Sequence, residues 1–264
     1  MGIRKSNGGS KQMNDSGHWY DRNGNAVFQV PNKSKGGMRN TTLKDAKTLS
    51  LFPSVTTIFK CMASPELDRW KQQQVLLASL TLPRTEGESD EDYCARIIRD
   101  AFKQVEDAAD LGTQIHKALE NHFQGQPYDP VMEEYVAPVK KWVEHNRVKF
   151  LKHELRLVNP EAGYAGTTDA LVEKDGQLYV LDYKSRKTKP QYEIEPWSKE
   201  PMQIAAYAKV AGAKRGVNLY ISTTEPGRIG EAWYDEKTLD ANYEAFTHVC
   251  KYWQFANKYK PKTK

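Results

Sequence analysis

Residues 169–187, DALVEKDGQLYVLDYKSRK, decide how this chain is read. Two runs rich in β-branched, aromatic and aliphatic residues flank Asp175-Gly176, a dipeptide suited to the positive φ angles of a two-residue hairpin turn. With that turn Lys174 faces Gln177. Carrying the register outward sets Val172 against Tyr179, Leu171 against Val180, and Asp169 against Asp182. A four-residue loop at the same place leaves the register unchanged. Directly opposed residues share a face, with Cβ atoms roughly 4.5–5.5 Å apart. Both faces are apolar apart from the acids, so the hairpin is expected inside a layered domain, not half solvated.

Two facing carboxylates at the end of a buried hairpin repel, and loss of water makes each charge costlier. A shared proton, a basic neighbour or a divalent cation would relieve them. Strand alternation puts Lys184 on the face of Asp182 and turns Tyr183 away. One lysine cannot easily neutralise both acids while keeping water near them, whereas a metal ion can. By itself Asp-x-Lys is most simply a charged strand end at the surface. The facing Asp169 is what makes it a candidate site.

A second cluster lies upstream in residues 109–123, ADLGTQIHKALENHF. Gly112, His116 and Glu120 recur every fourth residue and form one helical stripe, beside an apolar stripe of Leu111, Ile115, Leu119 and Phe123. Gly112 removes a side chain where something must come close, and His116 could project towards the hairpin acids. Taken alone, His116 is more simply a partly buried histidine bonded to Glu120. His122 and His145 read as surface residues.

The rest of the chain supplies a frame. Its 264 residues can bury a substantial core, and a net charge of +5 is compatible with a polyanionic partner. Lysine and arginine cluster at 184–189 and 258–264, although a solvated basic surface is the plainer account of either. No apolar run is long enough for a membrane span, and no leader pattern appears. Three widely separated cysteines with no Cys-x-x-Cys argue for a reducing compartment and against a disulfide framework or a structural zinc site, and are too few for a four-cysteine iron–sulfur cluster. The expectation is a protein of the cytoplasm of a bacterial or phage-infected cell. Residues 1–50 read as a flexible lead-in followed by a small hairpin around Asn23-Gly24, with a polar link over 32–42. The main domain covers 51–264, with a helical insertion at about 60–105 and a basic tail at about 258–264. A helix over 65–80 groups Leu67, Trp70, Val75, Leu76 and Leu80 near one face. A capping box at Ser89–Asp92 starts the next helix, with a break expected before Asp110. Helices, then strands, then helix-strand-helix predict an α/β domain with a central mixed sheet.

Gly112-x-x-x-His116-x-x-x-Glu120, Gly166-Thr167-Thr168-Asp169, Asp182-Tyr183-Lys184 and Gln203-x-x-x-Tyr207 stand in the order of the PD-(D/E)XK nucleases. The chain resembles their RecB-like exonuclease branch, which includes bacterial recombination nucleases and the mitochondrial genome-maintenance exonuclease. Each motif is weak alone; four in order form a strong joint signal. The earlier Pro53–Ile58, PSVTTI, resembles a segment before the core of the mitochondrial and phage members. The resemblance implies a restriction-endonuclease-like core and a catalytic metal, one or two Mg²⁺ or Mn²⁺ ions without an iron–sulfur cluster. It implies His116, Asp169, Asp182 and the Tyr183 carbonyl as ligands, with Asp169, Asp182 and Lys184 as the catalytic set. Gln203 and Tyr207 would buttress the site and face DNA, Glu120 would stand one step behind the metal, and Glu154 would lie near it. Thr168 replaces the nominal proline before Asp169.

Burial beside a cation would lower the Lys184 pKa, fitting it to orient or deprotonate water, or to stabilise negative charge. Arg186, Lys187 and Lys189 would meet the phosphate backbone. Trp197 and Tyr192 are candidate stacking platforms, and Trp70 is better read as core. The expected activity is a metal-dependent DNA exonuclease of recombination, repair or phage DNA processing, acting on single strands or duplex ends, with a recombination protein as a possible partner. The rivals are a structure-specific endonuclease or nickase on the same fold, and a catalytically idle nucleic-acid-binding subunit.

Overall fold

The Asp175-Gly176 turn forms as its residue types demand, with φ angles of 50° and 71°. A computed structural model of the chain describes residues 17–262 except 33 and 35, so the lead-in over 1–16 and the end of the basic tail lie outside the described residues. Counting strands from the N-terminus, the turn joins β6 (Tyr164–Lys174) to β7 (Gln177–Arg186). These lie inside a five-stranded sheet ordered β5-β6-β7-β8-β9, with β5 Lys149–Asn159, β8 Arg215–Ser222 and β9 Ile229–Tyr234. β7 and β8 run parallel, and the other neighbours are antiparallel. A parallel pair needs a crossover, which α6 (Lys199–Ala211) supplies.

The β6–β7 register is the expected one, from Lys174 opposite Gln177 to Ala170 opposite Leu181, where the ladder stops. β7 then continues against β8 as far as Arg186, while β6 stays paired with β5 back to Tyr164. The two strands therefore part beside Asp169 and Asp182. Both sheet faces are covered. Leu171 and Val180 pack with Ile204 and Tyr207 of α6 and Phe246 of α7 (Glu236–Asn257). On the reverse face Ala170, Val172 and Leu181 meet Leu119 of α4 (Asp90–Phe123) and Val139 of α5 (Glu133–His145). Each fully buried aliphatic side chain contributes about 1.5–3 kcal/mol, so the interior position of the hairpin is well secured.

The helix over 90–123 is unbroken, contrary to the expected interruption before Asp110. Its two halves change partner. The first packs Ile97 and Ala101 on Ala78 of α3 (Pro65–Thr81), and the second packs on the sheet. The apolar stripe expected on α3 also turns out differently. Val75 and Ala78 face α4, whereas Leu76 and Leu80 are 64% and 81% exposed and Trp70 is 37% exposed, outside the core.

The N-terminal segment is tied to this body. Across the turn at residues 21–25, β1 (Trp19–Tyr20) touches Ala26 but takes its ladder partner from β4 (Phe52–Pro53), and Trp19 packs 6.1 Å from Trp253. The supposed link over 32–42 contains β3 (Met38–Asn40), paired with β2 (Gln29–Pro31), and leads to an unforeseen helix, α1 (Leu43–Leu49). That helix starts with a Thr42–Asp45 capping box, and Arg39 reaches Asp45 at 2.8 Å. Pro53 precedes the short α2 (Val55–Phe59), as expected. No helix among the described residues is long and apolar enough to cross a membrane.

Candidate active site

Where β6 and β7 part, side chains take over from backbone pairing. Thr168 Oγ1 donates to the Leu181 carbonyl at 3.0 Å, and the Tyr183 N–H donates to Asp169 Oδ2 at 2.6 Å. The other Asp169 oxygen lies 3.1 Å from His116 Nδ1, so the helix imidazole does reach the hairpin acid. His116 also stands edge-on to Tyr183, ring centroids 5.9 Å apart. One turn earlier, a Cβ on Gly112 would lie 2.7 Å from Ser185 Oγ. The glycine thus lets α4 come down onto β7, as its place in the stripe predicts.

Asp182 pairs with Lys184 and receives a weak 3.4 Å contact from Asn218 Nδ2. Lys184 Nζ donates to Gln203 Oε1 at 3.1 Å, and Gln203 Nε2 donates to Tyr207 Oη at 3.2 Å. Tyr207 fits because Gly166 opposite has no side chain: a Cβ there would sit 2.5 Å from Tyr207 Cε1. Tyr207, Gln203 and Lys184 thus form one hydrogen-bonded chain. Tyr207 is buried and does not face solvent.

The electrostatics separate the two acids. Burial, then the nearby Asp169 charge, push the Asp182 carboxyl up to about 6, outweighing Lys184. Burial also works against Asp169, yet His116, Lys184 and the Tyr183 N–H together hold it below the ordinary carboxylate range. Burial would lower His116, but Asp169 raises it above the ordinary imidazole value. At Lys184 burial works to lower the pKa, and the adjoining Asp182 with Asp169 behind outweighs burial and raises it; the expected lowering belongs to a site that holds a cation. The reason is local, since direct ion pairing with Asp182 favours the charged amine.

The remaining candidates divide. Glu120 bonds Lys117 and Gln124 at 2.7 and 3.2 Å, with no hydrogen bond to His116. Glu154 lies across from Asp169 on β5 with a left-handed φ of 45°, and burial together with Asp169 and Glu120 pushes its carboxyl up to about 7. Arg186 is not turned to solvent as the sequence led us to expect. It pairs with Glu200, donates to the Glu195 carbonyl, and lies 4.3 Å from the centroids of both Trp197 and Tyr220. Lys187 and Lys189 are exposed. Asn218 and Glu200 were not anticipated. Both are buried; Asn218 contacts Asp182, and Glu200 bonds Arg186 and Tyr220, while the sequence marked only Asn218, as a polar residue in the apolar run VNLYIS.

Among the described residues no three His, Cys, Asp or Glu side chains are gathered closely enough to hold a metal ion as they stand. The donor types nevertheless fit a hard divalent cation. His116 contacts Asp169 at 3.1 Å, and Asp169 is near enough to Asp182 to help push its carboxyl upward, so an imidazole and two carboxylates are neighbours at the parted strands without closing around one point.

Residues 131–263, just over half the chain, match the PD-(D/E)XK nuclease superfamily. The match contains Asp169, Asp182 and Lys184 and begins after His116. Among solved structures, an alkaline exonuclease from Laribacter hongkongensis is similar at 9% identity, with a TM-score of 0.36 over 78% of this chain and 92% of that one. The protein SSO0001 is similar at 16% identity, with a TM-score of 0.31 over 70% of this chain and 87% of that one. No curated protein matches the sequence.

Proposed function

We propose that this chain, which belongs to the PD-(D/E)XK nuclease superfamily, is a metal-dependent deoxyribonuclease, working as an exonuclease in DNA recombination, repair or phage DNA processing. The observation that carries the reading is the gathering of His116, Asp169, Asp182 and Lys184 where β6 and β7 part. The exonuclease mode is supported by the motif order shared with the RecB-like branch.

His116, Asp169, Asp182 and the Tyr183 carbonyl would hold Mg²⁺ or Mn²⁺. A bound ion supplies Lewis-acid polarisation of the phosphate and a more acidic water. The chain's own groups do the rest. The Tyr183 N–H and Thr168 keep the Asp169 carboxylate facing His116. Lys184 pairs with Asp182 and is aimed by Gln203. There its ammonium would donate to a phosphate oxygen and stabilise developing negative charge, or its amine would orient or deprotonate the attacking water. Gln203 fixes its direction and Tyr207 fixes Gln203. Lys187 and Lys189 are the exposed cations nearest the catalytic strand's end and would take the backbone phosphates. These contacts address phosphate and not base edges, which fits a nuclease indifferent to sequence.

The test uses 5′- and 3′-labelled single- and double-stranded DNA and a closed circle, each with Mg²⁺ and with EDTA. Shortening from an end, a spared circle and no cleavage in EDTA are expected. Cleavage of the circle would refute the exonuclease mode, and cleavage in EDTA would refute metal dependence.

A further inference from the structure

Two charged side chains beside the catalytic lysine have no part in the chemistry described so far: Arg186 on β7 and Glu200 in the first turn of α6, with side chains 11% and 8% exposed. Strand alternation puts Arg186 on the same face as Lys184, and the parallel register sets Tyr220 of β8 directly beside Lys184. On α6, Glu200, Gln203 and Tyr207 follow at the three- and four-residue spacing that keeps them on one helix face. A crossover helix returns against the direction of the strand it leaves, so the two rows meet as rungs, Glu200 with Arg186 and Gln203 with Lys184. The first rung is the more heavily bonded. Glu200 accepts from Arg186, from Tyr220 Oη at 3.0 Å and from the Trp197 N–H at 2.8 Å. Arg186 Nη1 donates to the Glu195 carbonyl at 2.9 Å, and its guanidinium lies 4.3 Å from the centroids of the Trp197 and Tyr220 rings.

We infer that the Arg186–Glu200 pair is a positioning clamp: it sets the register of α6 on the sheet, and so the point where Gln203 receives the Lys184 amine. The inference rests on the nuclease reading and adds to that site two residues that act through Gln203 and touch no substrate. Apolar contact alone would leave the register loose. α6 meets the core with Ile204, Ala205, Ala206 and Ala208, and the burial of such surfaces is non-directional. Residues 187–198, which lead into the helix, contain no helix or strand, and Ser198 makes no side-chain cap bond. Glu200 therefore supplies directional contacts at this end, one to β7 and one to β8. A buried ion pair adds little net stability, because desolvation offsets the attraction, but it dictates which groups must meet. At the second rung that precision counts, since displacing a catalytic group by about 1 Å can cost about 10²-fold in rate.

The test compares Glu200→Leu, Glu200→Gln and the double variant Arg186→Met/Glu200→Leu in the full chain. The double variant removes both charges together, so no buried charge is left unpaired and the fold is kept, which thermal melting checks. Single-turnover cleavage of end-labelled DNA with Mg²⁺ should slow by about 10- to 100-fold in Glu200→Leu and in the double variant. DNA affinity of the double variant, read by anisotropy in EDTA, should stay within about twofold, because the loss lies in the reacting complex and not in binding. Glu200→Gln keeps an acceptor for Arg186 and should retain more of the rate than Glu200→Leu. In a Gln203→Ala background, already slowed, Glu200→Leu should slow cleavage by less than about twofold further, since the clamp acts through the missing amide. A second readout needs no cleavage: the Gln203 side-chain amide signal in glutamine-labelled protein, assigned by its loss in Gln203→Ala, should move in the double variant. A full rate in the folded double variant, a loss carried by DNA affinity, an undiminished effect of Glu200→Leu without Gln203, or an unmoved amide signal would each overturn the inference. The nuclease reading fails separately: a chain whose amide signal moves as expected but which never cleaves DNA with Mg²⁺ or Mn²⁺ keeps the clamp and loses the enzyme.

Discussion

Replacing Gly166 by alanine adds one methyl group where the structure has no room. The new Cβ would lie 2.5, 2.8 and 3.0 Å from Cε1, Oη and Cζ of Tyr207, against an ordinary contact of 3.4–4 Å. The ring must therefore retreat by about 1 Å through surroundings packed as densely as a crystal. Overpacking of this kind costs about 1–3 kcal/mol, and three ring atoms in conflict place Gly166 in the upper half of that range. Alanine's better strand propensity returns about 0.5–1 kcal/mol. The net loss is about 1–2.5 kcal/mol, or about 2–10 °C in melting temperature for a chain of this size. Tyr207 holds Gln203, which holds Lys184, so kcat should fall along with stability. Urea unfolding and single-turnover cleavage measure the two effects. A Tyr207→Ala background removes the obstacle, and there the same Gly166→Ala change should cost less than ~0.5 kcal/mol, a coupling a double-mutant cycle reads directly. A wild-type unfolding midpoint for Gly166→Ala, or an equal loss in both backgrounds, would refute the packing argument.

Other predictions concern the site and its supports. Asp182→Ala and Lys184→Ala should each cut cleavage by at least ~10²–10⁴-fold while leaving a folded protein, and full Mg²⁺-dependent activity in either would remove them from the catalytic set. Adding Mg²⁺ or Mn²⁺ to EDTA-treated protein should restore cleavage and raise the melting temperature, by an amount equivalent to about 2.7 kcal/mol at a hundredfold excess over Kd, and the rise should vanish in Asp182→Asn. Tyr183→Phe should raise stability by about 1 kcal/mol with cleavage retained, because the buried Tyr183 hydroxyl has no partner among the described residues while the backbone carbonyl is untouched. Asp45 is held below the ordinary carboxylate range, first by Arg39 and then by the Thr42 hydroxyl and N–H, with burial opposing. Its folded pKa is depressed, so its contribution is present above the unfolded value near 4 and lost as pH falls below it. Asp45→Asn should therefore destabilise by about 1 kcal/mol at pH 7, and the difference should shrink in urea titrations run at progressively lower pH.

The hairpin was legible in the sequence because a period of two and a turn requiring two left-handed residues leave one register. That alone brought Asp169, Asp182 and Lys184 together, and the four-residue spacing of Gly112 and His116 supplied the helix face that meets them. What local pattern could not carry were choices made by tertiary contact. A stripe such as Leu76 and Leu80 tells which residues share a face of α3 but not that the face turns outward. Arg186 looked like a phosphate ligand because Glu200, its partner, belongs to a helix whose position depends on the whole crossover. The short α1 was hidden in a polar stretch, although Thr42-x-x-Asp45 was there to mark its start.

The uninterrupted course of α4 has a mechanical consequence. From Asp90 to His116 the helix spans about 39 Å at 1.5 Å per residue, with no proline to flex it. The outlying pair α3–α4 and the imidazole beside Asp169 consequently belong to one stiff lever seated on the sheet. Any load that tilts its far end, whether a strand drawn past α3 or a protein gripping the exposed leucines, swings the histidine relative to the paired acids.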